Sequence, residues 1–386
     1  MNRPEPSRRV LGHALKTILL TALAGCVASL ALTSCGGDGS RRVGVPDYAP
    51  LVLDDGWTAS SPEEHGLDPA RIGSCYESAA ARENIYSLLV VRDGELVSEA
   101  YFNGSGASAA TPTASVTKSI TSALVGVALR EGLLTSLDQP LADFFPEIEW
   151  QAQDPRKSTI TLRQVLQMRS GYPWEEQAGY LDALFSRSDW IPLLAEFPLT
   201  SEPGTQFGYS NLTAHVMGIV VARAADRSLY EFGRSRLFEP LGIQVPSWPK
   251  DARGYYYGSG DAALTPRSMA KLGQLYLNEG LWNGAAILPA GWVEESWRPY
   301  SLDVYDGDIM SSVRGLGYGY LWWSATSGSH HVDFAWGHGG QVIFVVPELR
   351  LVVVATAEYL GLQFGSEAWR KERGVLEVVG SCIASL

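Results

Sequence analysis

The chain has 386 residues, of which 46% are hydrophobic and 19% charged, a composition that excludes a disordered protein and suffices for one large domain or two lobes. Its 30 basic and 42 acidic residues give a net charge of −12. The first 34 residues carry four basic residues and one acidic residue, a net charge of 4 − 1 = +3, so the remainder carries −12 − 3 = −15. Because so acidic a body repels phosphate backbones, nucleic acid is not an expected partner.

Residues 1–35 have the pattern of a bacterial lipoprotein signal peptide, a basic stretch followed by an uncharged run. Cys26 and Cys35 each end a lipobox-like tetrapeptide. We favour Cys35 for lipidation because a polar, glycine-rich segment follows it, whereas apolar residues continue after Cys26. Residues 36–50 then form a flexible tether. We expect an exported protein, periplasmic or on the cell surface, held to a membrane by its lipid; a plain secretory signal and an uncleaved anchor are the alternatives.

Two cysteines remain in the mature body, Cys75 and Cys382, each in a predicted helix at opposite ends of the chain. An exported protein with two cysteines can form one disulfide. Two free buried thiols are the alternative, and the residues alone leave both open.

The first elements after the tether are a helix and a hairpin. An Asp-Pro pair, a favourable N-cap followed by proline at the first helical position, opens a predicted helix over 69–82. Two β-rich runs follow over 85–91 and 95–102, and the Asp93-Gly94 pair between them is a strong signal for a hairpin. After a small-residue loop, apolar spacing predicts a helix over 115–131.

Helical patches broken by Pro and Gly fill the middle of the chain, and β-rich runs return only late. Predicted strands cover 317–323, 332–336, 342–346 and 351–356, with a turn at 347–350 and a closing helix from about 368. The fold class is therefore α/β (α+β), an antiparallel β-sheet flanked by helices with an all-helical insertion lobe. The folded domain covers 51–386, with a sheet lobe of about 51–132 and 255–386 and a helical lobe of about 133–254.

Ser115 and Lys118 form an S-x-x-K pattern at the start of the predicted 115–131 helix. Positions i and i+3 of a helix share a face, so the lysine amine can reach the serine hydroxyl. A buried lysine with a lowered pKa is a hypothetical base for a serine nucleophile. The helix N-terminus also offers partial positive charge to a developing oxyanion.

The S-x-x-K pattern alone is a weak signal, because Ser247–Lys250 and Ser268–Lys271 also match it. The first of these contains Pro249, which would break the helix that the geometry requires. The second has no suitable partner motifs after it.

Two further motifs follow Ser115 in the sequence. Tyr209-Ser210-Asn211 comes after a Pro-Gly turn, which presents the Tyr209 hydroxyl on a loop. His338-Gly339-Gly340-Gln341 precedes a predicted strand; its glycines would let a substrate approach the strand edge, and the Gln341 N–H could complete an oxyanion hole.

Taken in this order, S-x-x-K, Y-x-N and H-G-G resemble the motifs of the serine β-lactamase and penicillin-binding-protein family in its class C-like branch. The similarity extends over nearly all of the mature chain. The segments Met168-Arg169-Ser170-Gly171 and Gly337-His338-Gly339-Gly340-Gln341 are similar to the esterase and 6-aminohexanoate-dimer hydrolase sub-branch.

The resemblance implies a sheet-plus-helical-insert fold and acylation of Ser115, with Lys118 and Tyr209 as general base and acid. It implies that Asn211 holds the substrate amide and that the N–H groups of Ser115 and Gln341 form the oxyanion hole. It also implies that the first and last helices pack together, which favours the Cys75–Cys382 disulfide.

One departure from the family pattern bears on the substrate. Penicillin-recognising members usually carry K-T-G where this chain has His338-Gly339-Gly340. We expect a largely neutral imidazole and a bare glycine to hold a substrate carboxylate less well. The prediction is a serine hydrolase that cleaves a small ester or amide through an acyl-enzyme, with a β-lactamase or D-Ala-D-Ala carboxypeptidase as the alternatives.

Other classes of protein are less consistent with the sequence. The six histidines and four cysteines form no metal-ligand motif, and we expect neither metal nor cofactor. The sequence contains no G-x-S-x-G motif, the pattern that is typical of an α/β-hydrolase. A catalytically silent, membrane-tethered binding protein of the same fold is the alternative of a different class. The sequence does not determine the natural substrate or the oligomeric state.

Overall fold

A computed structural model describes residues 47–305 and 310–386. Its helices are α1 (Pro69–Ala80), α2 (Val116–Arg130), α3 (Trp150–Gln153), α4 (Leu162–Leu166), α5 (Glu175–Ala178), α6 (Leu181–Phe185), α7 (Leu193–Glu196), α8 (Asn211–Ala224), α9 (Leu229–Gly233), α10 (Glu239–Leu241), α11 (Pro266–Leu277), α12 (Trp292–Trp297) and α13 (Ser366–Ser385). Short 3₁₀ turns lie at Glu63–His65, Leu141–Phe144, Pro155–Thr159 and Pro347–Leu349, and a π-helical turn lies at Arg234–Phe238.

The strands of the described residues form one large sheet and two small ones. They are β1 (Ile85–Arg92), β2 (Glu95–Tyr101), β3 (Thr111–Pro112), β4 (Ala263–Leu264), β5 (Leu281–Trp282), β6 (Ala285–Ala286), β7 (Arg314–Tyr318), β8 (Trp323–Ser327), β9 (His330–Gly337), β10 (Gln341–Val346) and β11 (Leu351–Ala357). The large sheet has the order β2-β1-β11-β10-β9-β8-β7, and every neighbouring pair is antiparallel. The predicted antiparallel sheet flanked by helices is confirmed.

The two ends of the folded domain meet in this sheet, where β1 pairs with β11 as the second and third strands from the β2 edge. The predicted Asp93-Gly94 hairpin joins β1 and β2, and both turn residues have positive φ, 52° and 88°. That backbone matches the right-handed twist of the two strands, which is why this residue pair suits the turn.

One strand prediction is wrong. The aromatic run 317–323 was expected to form a single strand, but β7 ends at Tyr318 and β8 begins at Trp323. Leu321 lies in the turn between them with φ 59°. Its N–H donates to the Leu166 carbonyl, and its own carbonyl accepts from the Ser119 hydroxyl. Contacts with α4 and α2 therefore stabilise this turn, which also contains Gly319, a turn signal that the aromatic pattern of the run outweighed in the prediction.

The segment 133–254 contains helices and helical turns but no strand of any sheet. Its longest helix, α8, is buried along most of its length and packs against α2. The nucleophile-bearing helix predicted from the sequence thus lies between the sheet and the helical segment, where side chains from both can reach its N-terminus.

The first and last helices, α1 and α13, pack against each other. Cys75 and Cys382 lie on them and are joined by a disulfide with an S–S distance of 2.07 Å. The predicted signal peptide, with Cys26 and Cys35, lies outside the described residues. None of the helices in the described ranges is both long and apolar enough to span a bilayer.

Candidate active site

Ser115 stands immediately before the first residue of α2, and Lys118 lies one turn further along. The Lys118 Nζ is 2.8 Å from the Ser115 Oγ, as the i, i+3 spacing predicts. It is also 2.8 Å from the Asn211 Oδ1 and 2.8 Å from the Ser259 carbonyl oxygen. The lysine side chain is 1% exposed, so these three oxygens replace water around the amine.

The three partners determine what the amine can do. Asn211 Oδ1 and the Ser259 carbonyl only accept hydrogen bonds, whereas the Ser115 hydroxyl can also donate. A neutral amine has two N–H groups for the two pure acceptors, which leaves its lone pair facing the serine hydroxyl. Burial lowers the pKa of Lys118 to about 8. The negative charges of Glu175, Glu176 and Asp261 act in the opposite direction, but their effect is smaller.

Tyr209 lies beside this pair, with the Lys118 Nζ 4.8 Å from the centre of its ring. The tyrosine is 6% exposed. Burial raises the pKa of Tyr209, and nearby carboxylates add to that shift, while the contact with Ser115 opposes it. The phenol therefore stays protonated at neutral pH, which suits a proton donor better than a base.

The buried side chain of Glu175 contacts the start of α8, and no motif in the sequence pointed to this residue. Its carboxylate accepts hydrogen bonds from the Ser210 hydroxyl at 2.8 Å, the Asn211 N–H at 2.9 Å and the Leu212 N–H at 3.1 Å. Burial raises the pKa of Glu175 to about 7, although these hydrogen bonds lower it. Because Tyr209 and Asn211 flank Ser210, Glu175 positions both predicted site residues through the backbone.

His338 lines the cleft next to Ser115, but both of its ring nitrogens already have hydrogen-bond partners within the protein. The Nδ1 atom is 2.7 Å from a Glu372 carboxylate oxygen, and the Nε2 atom is 2.9 Å from the Gln363 carbonyl oxygen. Burial lowers the pKa of His338, but these two acceptors outweigh it and raise the pKa above its ordinary value. This shift favours the charged imidazolium more than in an ordinary histidine, which is contrary to the expectation of a largely neutral imidazole, and the Glu372 carboxylate lies where it pairs with that charge.

The remaining residues of the H-G-G motif lie away from the cleft. Gly339 and Gly340 form the turn between β9 and β10 with φ of 87° and 99°, and a Cβ on Gly340 would collide with Val375 at 2.5 Å. Gln341 is fully buried, pairs with Gly337 across β9 and β10, and bonds through its side-chain amide to the Ala357 backbone. The Gln341 side chain thus points into the sheet, and Gln341 lines neither of the cavities that Ser115 lines.

Gly337, at the end of β9, is the strand residue that touches the nucleophile segment. A Cβ there would lie 2.3 Å from the Thr113 carbonyl oxygen and 3.1 Å from the Ser115 nitrogen. Only glycine lets this strand end approach α2 so closely. Gly337 belongs to the segment Gly337-His338-Gly339-Gly340-Gln341, but no pattern in that segment indicates which of its residues contacts Ser115.

Another S-x-x-K pattern, Ser268–Lys271, also lies in a helix, α11. Its lysine amine does not form the serine–lysine hydrogen bond seen between Lys118 and Ser115. The Lys271 Nζ donates to the carbonyl oxygens of Asp55 and Gly242 instead. Among the described residues, no group of three or more His, Cys, Asp or Glu side chains is arranged to hold a metal ion.

Fold and site together define the class of protein, a serine hydrolase. A family model described as Beta-lactamase matches residues 80–377, and the chain belongs to that family.

Individual relatives are similar to this chain at lower identity. The 6-aminohexanoate-dimer hydrolase of Paenarthrobacter ureafaciens is 25% identical over 305 residues, which cover 72% of this chain and 76% of that protein. The lovastatin esterase of Penicillium rubens is 30% identical over 150 residues, 34% of this chain and 37% of that protein.

Solved structures share the fold. A putative 6-aminohexanoate-dimer hydrolase from Bacillus anthracis superimposes with a TM-score of 0.61 at 22% identity, covering 79% of this chain and 81% of that one. EstCE1, described as a hydrolase with promiscuous acyltransferase activity, gives a TM-score of 0.60 at 16% identity, covering 80% and 98%.

Proposed function

We propose that this protein hydrolyses a small ester or amide through an acyl-enzyme on Ser115, with Lys118 as general base and Tyr209 as general acid. The observation that carries the proposal is the environment of the Lys118 amine. A neutral amine there has its lone pair directed at the Ser115 hydroxyl, because its other two partners can only accept hydrogen bonds.

The acylation step conserves atoms and protons as follows. The Ser115 oxygen forms a bond to the substrate carbonyl carbon while its proton moves to Lys118. The bond from that carbon to the leaving oxygen or nitrogen then breaks, and the leaving group takes a proton from Tyr209, which Lys118 replaces. In the second step, the oxygen of water bonds to the acyl carbon and one water proton moves to Lys118. The bond from that carbon to the Ser115 oxygen then breaks, the proton passes to the Ser115 oxygen through the same groups, and the carboxylic acid is released.

The developing oxyanion needs two donors. The Ser115 N–H is one of them in this proposal. Because Gln341 lies inside the sheet, we assign the second to the strand edge at Gly337 and His338, the segment that lies against the Ser115 nitrogen.

The cleft favours an ester or amide over a β-lactam or a D-Ala-D-Ala peptide. Both of these bear a carboxylate, and the residue in place of the usual lysine, His338, is already paired with Glu372. The name of one relative, the lovastatin esterase, supports an ester as the substrate. The 6-aminohexanoate-dimer hydrolase supports cleavage of an amide but not the absence of a carboxylate, because a 6-aminohexanoate dimer ends in one.

Hydrolysis of p-nitrophenyl acetate and butyrate, beside nitrocefin, tests the proposal. We expect ester turnover that Ser115→Ala lowers by at least about 10³-fold, with little cleavage of nitrocefin. Ser268→Ala, the serine of the other helical S-x-x-K pattern, is the matched control and should keep full activity.

Fluorophosphonate labelling separates the alternatives. Labelling at Ser115 with fast nitrocefin turnover would replace the esterase proposal by a β-lactamase. Absence of both labelling and turnover would overturn the enzyme mechanism and favour a binding protein of the same fold.

A further inference from the structure

Two neighbouring cavities share Ser115 as a lining residue. The larger has a volume of about 390 Å³ and the smaller about 280 Å³. Ser115, Glu176, His338 and Phe364 line both of them. An acyl-transfer substrate also extends in two directions from its reacting carbon, toward the acyl group and toward the leaving group.

The catalytic groups of the proposed mechanism divide between the two cavities. Tyr209 lines the larger cavity, and Asn211 and the Ser259 segment line the smaller. Because the leaving group must receive its proton from Tyr209, it has to project into the larger cavity. The acyl group then extends past Asn211 into the smaller one.

Both cavities are lined mainly by apolar and aromatic side chains. Those of the larger are Leu181, Tyr305, Trp323, Trp336 and Trp369. Those of the smaller are Phe185, Trp190, Tyr257, Tyr359 and Leu362. Phe185, Tyr359, Leu362 and the shared Phe364 belong to the few large apolar side chains that are exposed in the described part of the chain. Exposed apolar groups around a cleft are typical of a binding surface for an apolar ligand.

The charges that line the cleft disfavour an anionic substrate. Carboxylates of Glu176, Glu372 and Asp261 line it. Two cations also line it, but each is paired with a carboxylate: Arg187 with Glu196 at 2.9 Å, and His338 with Glu372. Burial raises the pKa of Glu176 and Asp261, which favours their neutral forms, so the negative charge of the cleft is greatest above neutral pH. At such a pH the Lys118 amine is neutral, as the proposed mechanism requires, and a substrate carboxylate would meet net negative charge in a partly desolvated space.

We propose that the substrate carries bulky apolar groups on both sides of the scissile bond and no carboxylate, with its leaving group in the larger cavity and its acyl group in the smaller. This proposal rests on the acyl-enzyme mechanism above. The proposal predicts that residues lining the larger cavity affect only acylation. The leaving group has departed before deacylation begins and can no longer influence the rate of that step.

Burst kinetics on p-nitrophenyl esters tests the assignment. Trp369→Ala, in the larger cavity, should lower the acylation rate for p-nitrophenyl butyrate about tenfold and leave the deacylation rate of the butyryl-enzyme unchanged. Phe185→Ala, in the smaller cavity, should lower kcat/KM about tenfold for the octanoate ester and by less than about twofold for the acetate ester.

The prediction that the substrate carries no carboxylate is tested with a matched pair of substrates. We expect p-nitrophenyl hemisuccinate to be cleaved at least about tenfold more slowly than the butyrate ester, and Glu176→Gln to narrow that difference. Equal rates for the two esters in the wild type would overturn this prediction.

Two results would overturn the assignment of the cavities while leaving the mechanism intact. One is a deacylation rate that falls in Trp369→Ala as much as the acylation rate. The other is a Phe185→Ala variant that affects acetate and octanoate equally. Failure of every ester together with no fluorophosphonate label on Ser115 would instead contradict the mechanism itself.

Discussion

At the scale of single residues, the proposed chemistry depends on one buried amine whose surroundings shift its charge. Lys118 loses water on burial, which lowers its pKa to about 8, and the neighbouring carboxylates limit that shift. An ordinary lysine would be almost fully protonated at neutral pH and could not accept the Ser115 proton.

The first prediction concerns the pH dependence of the wild-type enzyme. In the proposed mechanism only the deprotonated Lys118 amine acts as base, so kcat/KM for p-nitrophenyl butyrate should rise with pH and reach half its plateau near pH 8. The rate of fluorophosphonate labelling of Ser115 should follow the same curve. A profile that is flat between pH 6 and pH 10 would contradict the role of Lys118.

Glu175 provides the second prediction, because it both bonds to the start of α8 and raises the pKa of Lys118 by its charge. Glu175→Gln removes the charge and keeps a hydrogen-bond acceptor, so the midpoint of the pH profile should move below that of the wild type. Glu175→Ala should give the same shift and also lower kcat about 10²-fold, since Tyr209 and Asn211 lose their support.

Comparison of these two variants separates a positioning residue from a merely stabilising one. Loss of stability would lower the amount of folded enzyme but leave the midpoint of its pH profile unchanged. An unshifted midpoint in both variants, measured on folded protein, would refute the electrostatic part of the argument.

At the scale of elements, local signals in the sequence identified the parts of the fold that depend on local chemistry. The N-cap of α1, the Asp93-Gly94 hairpin and the i, i+3 pair at the start of α2 each follow from neighbouring residues. The turn at Leu321 was missed, because the aromatic run predicts a strand despite Gly319 and because contacts with α2 and α4 stabilise the turn.

The same distinction explains which site residues the sequence identified. Ser115 and Lys118 form their pair within one turn of helix. Glu175 acts across space on α8, and no spacing rule links it to Tyr209. The choice between Gln341 and Gly337 depends on the register of β9 and β10, which the motif does not specify.

Gly337 supplies the third prediction, at the contact between β9 and the start of α2. Gly337→Ala would place a Cβ 2.3 Å from the Thr113 carbonyl oxygen, so the strand end must move away from Ser115. We expect kcat/KM for p-nitrophenyl butyrate to fall at least about 10²-fold, because a small displacement of an oxyanion donor is costly.

Gly106→Ala is the matched control for this variant, since a Cβ at Gly106 meets no atom within 4 Å. It should retain wild-type kcat/KM. Full activity of Gly337→Ala would show that the close approach of β9 is not needed for catalysis.

At the scale of the whole molecule, the fold places the disulfide away from the site, because the first turns of α13 carry Trp369 and Glu372 to the cleft whereas its far end carries Cys382. The site lies where the sheet meets the helical segment 133–254, whereas α1 and α13 pack together and carry the disulfide. The two cysteines are 307 residues apart in sequence and only 4% and 3% exposed. The cross-link therefore closes nearly the whole folded domain without touching the residues proposed for catalysis.

The last prediction follows from that separation. A cross-link over so long a loop restricts the unfolded chain strongly, and native disulfides of this kind contribute about 2–5 kcal/mol to stability. The double variant Cys75→Ala and Cys382→Ala should therefore have a lower Tm, by several degrees or more in a thermal melt, than the oxidised wild type. Its kcat/KM at 25 °C should be unchanged within about twofold, because α1 and the end of α13 lie outside both cavities. If activity fell together with Tm, the two ends of the chain would have to be coupled to the Ser115 cleft through the sheet. An unchanged Tm would show instead that helix packing alone holds the ends together.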